Sequence, residues 1–284
     1  PIVCNFLRTW PFMDLKSEFY NFNNMKKRNW KSYLREILKA SRQKVLNFID
    51  DKKKLYNSIL EYVDGNEEED FEQLSKILGE SQIRINTNEL KSLLQIISSI
   101  VNNHYRQIDF FKKIERILLQ IISIIKHSIN AKNLIKIFQH SKIMILFFIE
   151  NQILSVEDLP QTTDFLAYFY PEFDAFFQKE EQKQKCLEAL KKFSIEYDKE
   201  SFIKNRKKGE NNLYICSLIR TDSIEEFISY VNRNNLSLST EIPQSIFESH
   251  LYLINNTCNL IEYSAFFGSI QIFNYLRMNN VILT

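Results

Sequence analysis

The sequence is short of the residues that bend or break a chain. Of 284 residues only four are glycine and five are proline, against about 7 % and about 5 % in ordinary usage. The glycines stand at 65, 79, 209 and 268. Loops that cradle phosphate place several glycines at fixed spacing, and no pair here fits GxGxxG or GxxxxGK. Sandwiches and barrels need many tight turns, built mainly from Gly, Pro, Asn and Asp. Only Asn is plentiful, so the chain reads as mostly helical. Long apolar runs are also missing: the longest, Ile143–Ile149, has seven residues, whereas a spanning helix needs roughly 20. The four cysteines, at 4, 186, 216 and 258, form no CxxC pair. In a chain of this length they point to reduced thiols in an intracellular protein. The net charge of +2 gives no global field that argues for nucleic acid or an acidic partner. No signal peptide is visible, and a chain that opens at Pro1 and stops at Thr284 is expected to be a fragment.

What is present is helical periodicity. Residues 1–28 are aromatic and mixed, expected as a loop and a short helix. Over 30–63, Leu34, Ile37, Leu38, Val45, Leu46, Ile49, Leu55, Ile59 and Leu60 recur at spacings of three, four and seven, with a break expected near Asp50-Asp51. An acidic turn, Asp64–Asp70, suits the positive N-terminal end of a helix over about 67–78 that closes at Gly79. Residues 88–153 are the most hydrophobic third. Asn88 is read as the N-cap of a helix striped by Leu90, Leu93, Leu94, Ile97, Ile100 and Val101. A second stripe runs from Phe110 to Ile125, and Asn130 opens a third that runs to Ile149. Isoleucine favours sheets, but the period here is 3.6 and not 2. Ser155–Asp158 has the form of a capping box. The aromatic run Phe165–Tyr170 precedes Pro171 and a helix over Glu172–Phe193. The charged stretch Tyr197–Asn212 is the best linker candidate.

Two segments near the end are alike. Asp222-Ser-Ile-Glu-Glu-Phe-Ile-Ser-Tyr-Val231 leads to Asn234-Asn235, and Gly268-Ser-Ile-Gln-Ile-Phe-Asn-Tyr-Leu276 leads to Asn279-Asn280. Ser-Ile and Phe recur at a spacing of 46 and Asn-Asn at 45. Each is preceded by a helical segment, Leu213–Ile219 or Leu260–Phe267. The pattern is a repeated helix–turn–helix, and such a unit must stack on a neighbour to bury its apolar face. Leu260–Leu276 resembles an ankyrin repeat: Ser264-Ala265 at the close-packed position, Gly268 at the inter-helix turn where positive φ is easiest for glycine, and Ile270, Phe273 and Leu276 as the second helix's stripe. The usual TPLH opening is absent, so the repeat is degenerate. Together with Lys208–Asn211, Tyr214–Cys216, Leu218–Arg220, Ile224–Asn235 and Ser245–Glu248, this segment resembles the large protist (trichomonad-type) ankyrin-repeat proteins, in which a helical region of unknown function precedes the repeats. Over 1–200 the match is less specific and rests on Phe165–Phe173 and the Asn- and Lys-rich helical character. The resemblance implies an α-solenoid used for protein binding, with no catalytic residue and no defined ligand.

Chemistry-bearing residues were weighed against structural roles. The histidines, at 104, 127, 140 and 250, show no HExxH, HxH or CxxH spacing, and His127 and His140 are read as structural or surface residues. A zinc site from Cys186, Cys216, Cys258 and one histidine has no local support. The basic group Lys204–Lys208 is flanked by Glu200 and Glu210 and reads as a solvated linker loop; contact with nucleic acid or an acidic surface such as tubulin's is its functional alternative. Lys26-Lys27-Arg28 with Trp30 and Lys31 reads as a helix start with a buried Trp. The aromatic clusters Trp10–Tyr20 and Tyr168–Phe177 are candidates for a contact surface, the alternative being that they cap the stack or seal gaps between helices. Tyr263, Phe266 and Phe267 are weak contact candidates. The resulting expectation is an all-α protein, an α-solenoid of antiparallel helix pairs, with an N-terminal helical domain over 1–200 and degenerate ankyrin-like repeats over 201–284. It is expected to be a cytoplasmic, non-enzymatic interaction module or scaffold with protein partners. The alternative is a component bound to microtubules or another cytoskeletal filament. No catalytic, cofactor or metal residue, no cofactor, no specific nucleic acid and no membrane span is assigned.

Overall fold

A computed structural model describes residues 30–65, 68–104 and 109–283. The described residues are mostly helical, with fifteen α-helices and a single pair of two-residue strands. No helix among them is long and apolar enough to cross a membrane. The fold divides into two compact units, 1–79 and 80–284. The 200/201 boundary read from the sequence falls inside the second unit, two residues into the helix Lys199–Lys208.

The first unit holds α1 (Trp30–Asp64) and most of α2 (Glu68–Glu80). The expected break near Asp50-Asp51 does not occur; α1 is one 35-residue helix. Aspartate in a helix interior costs well under 1 kcal/mol relative to alanine, too little to interrupt a stripe of this length. Among its described side chains the stripe is buried toward its end, at Leu55, Ile59, Tyr62 and Val63, while Leu38, Leu46 and Ile49 are exposed. Glu68, Glu69 and Asp70 occupy the first turn of α2 as expected from the dipole. The Tyr62 and Phe71 rings meet at 5.0 Å across the turn. Gly79 lies inside α2 without a positive φ, so it does not close the helix as expected.

In the second unit, α3 (Thr87–Asn103) begins two residues earlier than read. Its N-cap is Asn86, whose side chain accepts from the Asn88 backbone N–H. All six residues of its stripe are buried, as are Phe110, Ile114, Ile117, Leu118, Ile121 and Ile125 of α4 (Phe110–Ser128). Asn130 caps α5 (Ala131–Phe138), accepting from Asn133 N at 2.9 Å. The third hydrophobic stretch is two helices, because the chain turns at 139–141 before α6 (Lys142–Glu150). Ser98 Oγ donates to Ile137 O at 2.7 Å and ties α3 to α5.

The aromatic segment is likewise broken into α7 (Thr163–Tyr168), α8 (Tyr170–Phe176) and α9 (Glu180–Lys192). The stretch read as a linker loop is a helix, α10 (Lys199–Lys208), capped by Asp198. What holds it is hidden in its basic sequence. Arg206 is 4 % exposed and forms a two-pronged ion pair with Glu172 of α8, Nη1–Oε2 at 2.6 Å and Nη2–Oε1 at 2.9 Å. Nη1 also donates to Tyr168 O, and the guanidinium lies over the Tyr168 and Phe202 rings. Gly209 closes the helix at φ 66°. A Cβ there would stand 2.6 Å from Ser249 Oγ and 2.9 Å from Phe111 Cε2, so only glycine fits.

The chain then makes two helical hairpins, α11 (Tyr214–Arg220) with α12 (Ile224–Arg233), and α14 (Leu260–Phe267) with α15 (Ile270–Met278). Between them lie β1 (Glu241–Ile242), α13 (Leu251–Asn255) and β2 (Cys258–Asn259); the strands pair antiparallel, Glu241 opposite Asn259 and Ile242 opposite Cys258. The hairpins agree bond for bond. In the first, Asp222 (φ 49°) and Ser223 donate to Ile219 O and Leu218 O; in the second, Gly268 (φ 68°) and Ser269 donate to Ala265 O and Ser264 O. Both second helices end alike, at Asn235 (φ 49°) and Asn280 (φ 60°). This is a left-handed C-terminal closure, and it recurs after α6 at Gln152 and after α9 at Ser194. Six of these closures use one glycine between them.

The hairpins pack side by side, α11 on α14 and α12 on α15. Phe227, Val231, Ile272 and Leu276 lie in the shared core with Cys216 and Tyr263. Their polar groups are exchanged across the joint. Ser269 precedes α15 but does not cap it; its hydroxyl donates to Ile219 O of the first hairpin. In return the Asp222 carboxylate accepts from the Gln271 and Ile272 N–H groups, both at 3.0 Å. These are two of the amides that a helix start leaves without an internal acceptor.

Candidate functional site

Most residues singled out for chemistry are structural. Tyr168, Phe169, Tyr170, Phe173 and Phe177 are core, and of that cluster only Phe176 is substantially exposed. The run therefore seals helix packing and is not a contact surface. Burial in the same place pushes the Tyr168 hydroxyl well above the usual range. The clusters Trp10–Tyr20 and Lys26–Arg28 lie outside the described residues. Within Lys204–Lys208, Arg206 is buried and Lys204, Lys207 and Lys208 remain exposed on helix α10. Tyr263 is buried, its hydroxyl accepting from Arg220 Nη1 at 2.8 Å; Arg220 Nε also meets Glu210 at 3.1 Å. Phe266 is half-buried, stacked against Tyr252 at 5.7 Å.

His127 and His140 are exposed at the ends of α4 and α5. The His250 ring stands edge-on to Phe266 at 4.5 Å. Cys186, Cys216 and Cys258 are free and buried, and desolvation pushes the Cys186 thiol up to about 11 and the Cys216 thiol up to about 12. Such thiols are poor nucleophiles. No group of three or more His, Cys, Asp or Glu side chains among the described residues is placed to hold a metal ion.

The second unit carries a groove of about 600 Å³ between 192–213 and the connection 243–247. That volume is in the range of binding pockets. Its floor is apolar: the buried Phe202 and Phe247 rings meet edge to face at 5.1 Å beside Ile246. One wall is the chain leaving α9, where Phe193 and Ile195 flank Ser194 at φ 54°. The opposite wall is held by Asn211. Its N–H donates to Glu248 at 3.3 Å, its Nδ2 to Pro243 O at 3.1 Å, and its Oδ1 accepts from Leu213 N at 3.1 Å. Glu248 is itself buried and also accepts from Ser249 N and His250 N at 2.9 and 2.8 Å. A carboxylate with three backbone donors holds the wall firmly.

The rim carries carboxamides rather than charge. Asn205, Asn212 and Gln244 line the groove, with one cation, Lys192, and one anion, Glu196. None of this was visible in the sequence, because the two sides come from segments about fifty positions apart that share no motif. Asn211 and Ser245–Glu248 did stand within the segments that carried the ankyrin resemblance. Comparison with protein-family models, curated proteins and solved structures finds no match to this chain.

Proposed function

We propose that this protein is a non-enzymatic interaction module: a stack of degenerate ankyrin-like helix pairs, in the manner of an α-solenoid, with the groove as its contact site. The observation that carries the reading is the recurrence of one hairpin design in α11–α12 and α14–α15, with left-handed residues at Asp222 and Gly268 and at Asn235 and Asn280. Helix pairs this short are stable through stacking, and stacked pairs give extended surfaces suited to other proteins. The resemblance to trichomonad-type ankyrin-repeat proteins supports the same reading. Tyr214, 54 % exposed beside Leu213 at the groove's edge, supplies an aromatic of the kind enriched at interface hot spots. The buried free thiols suit a reducing, cytoplasmic setting. The alternative, filament binding, is weakened by the loss of Arg206 from the exposed basic group.

The test is affinity capture by the full-length protein from its own cells, with co-sedimentation on microtubules at about 150 mM salt, where exposed charge pairs are screened beyond about 8 Å. Specific protein partners and no pelleting are expected. Folded protein that retains no partner refutes the module reading, and pelleting with microtubules favours the filament.

A further inference from the structure

We propose that the groove takes an uncharged peptide segment in an extended conformation, with one apolar side chain seated on Phe202 and Phe247. This rests on the interaction reading above and specifies its partner. The hydrogen-bonding groups left at the rim are the complement of a peptide backbone. Each peptide unit presents one N–H donor and one C=O acceptor, and a carboxamide is the side chain that offers both. Asn212 uses its oxygen to accept from Ser245 Oγ at 3.1 Å, which leaves its NH₂ for a carbonyl. Gln244 uses its NH₂ on Ile254 O at 3.3 Å, which leaves its oxygen for an N–H. Asn205, half-buried on α10, makes no side-chain hydrogen bond among the described residues and supplies one of each. The groove therefore holds donor and acceptor sites beside an apolar floor, and an extended chain is bound through its backbone and read through a side chain in this way.

Charge selects among occupants. The groove's lining holds one cation, Lys192, and one anion, Glu196, so its walls offer too few cations to neutralise a run of phosphates and no single sign to select a strongly acidic or basic peptide. The walls are already fixed by Asn211 and Glu248, so little ordering accompanies binding.

The test is peptide-display selection on the full chain with random octapeptides blocked at both ends. Fluorescence anisotropy of the best synthetic peptide follows, on the native protein and on Asn205→Ala/Asn212→Ala and Leu213→Arg, each checked for an unchanged circular dichroism spectrum. Leu213, Asn212 and Asn205 are not core residues, so these variants are expected to fold. The expected result is enrichment of uncharged peptides with one central aromatic or aliphatic residue. Affinity should fall about tenfold or more in each variant, since two neutral hydrogen bonds together supply about that factor. It should change less than about twofold between 50 and 500 mM salt. Enrichment of charged peptides, or binding indifferent to the variants, overturns the groove assignment while leaving an interaction module. No enrichment at all also overturns it, and the capture experiment then decides the broader reading by itself.

Discussion

The sharpest consequence of the fold concerns Asp222, the residue that stands in the first hairpin where glycine stands in the second. At φ 49° a left-handed residue is ordinarily improved by glycine, since an L side chain there costs about 1–2 kcal/mol, offset by about 0.5–1 kcal/mol of glycine's greater unfolded-state freedom. Gln152 and Ser194 obey that rule: Gln152→Gly and Ser194→Gly should be neutral to stabilising by up to about 1 kcal/mol. Asp222 should not. Its carboxylate accepts from Gln271 N and Ile272 N, both at 3.0 Å, and a lost cap costs about 0.5–2 kcal/mol. The negative charge at a helix start adds about 0.3–1 kcal/mol. Asp222→Gly should therefore destabilise by about 1 kcal/mol, and Asp222→Ala, which keeps the strain and loses the cap, by about 2 kcal/mol. Native-state hydrogen exchange reads this locally: the Gln271 and Ile272 amides should exchange roughly thirtyfold faster in Asp222→Ala, at about 1.4 kcal/mol per factor of ten. If those amides are unchanged, or if Asp222→Gly stabilises as Gln152→Gly does, the exchange of caps between hairpins is wrong.

Three other outcomes follow from the same geometry. Arg206→Met should cost about 3–5 kcal/mol in urea unfolding, because it leaves Glu172 with no counter-ion in a largely dry site; restoring most of that loss with a second change, Glu172→Leu, distinguishes an unpaired charge from lost packing. Gly209→Ala should lower the urea midpoint much more than Gly268→Ala: both are left-handed, but only at 209 would a Cβ meet Ser249 and Phe111, and equal losses would contradict that crowding. The Cys216 thiol titrates near 9 when unfolded and about 12 when folded. Its contribution is thus complete below pH 9 and is lost as pH rises toward 12. The urea midpoint should fall more steeply between pH 9 and 11 in the native protein than in Cys216→Ala, and parallel slopes would refute the assignment.

Helices were legible wherever one face is apolar and the period is unmistakable. The stripes of α3 and α4 fell where expected because a 3.6-residue pattern and burial are the same constraint. Interruptions were not legible. The turn at 139–141 contains neither glycine nor proline, and Phe138 packs on Phe148 across it; the one at Phe169 is the exception, marked by Pro171 in the first turn of α8. The basic stretch was misread for a related reason. Nothing local tells Arg206 from Lys204, Lys207 or Lys208, and only the distant Glu172 turns one of four cations inward. The hairpin turn at Gly268 was legible because glycine announces a positive φ. Its equivalents at Gln152 and Ser194 were not, since residues without that freedom occupy them.

The two hairpins exchange polar contacts through Asp222 and Ser269, and neither contact involves residues 236–257, although Ile242 and Leu253 of that connection join the shared core. Yet that connection supplies Pro243–Phe247, the far bank of the groove. The division of labour resembles a loom, with a fixed warp and an exchangeable weft. Under the proposed reading, substitution at the exposed Pro243 and Gln244 should retune what the groove accepts while the helical pairs keep their alignment, whereas the buried Ile246 and Phe247 are fixed by packing. Under that reading, preference drifts through two exposed positions of a short connecting stretch, at little risk to the helical pairs beside it.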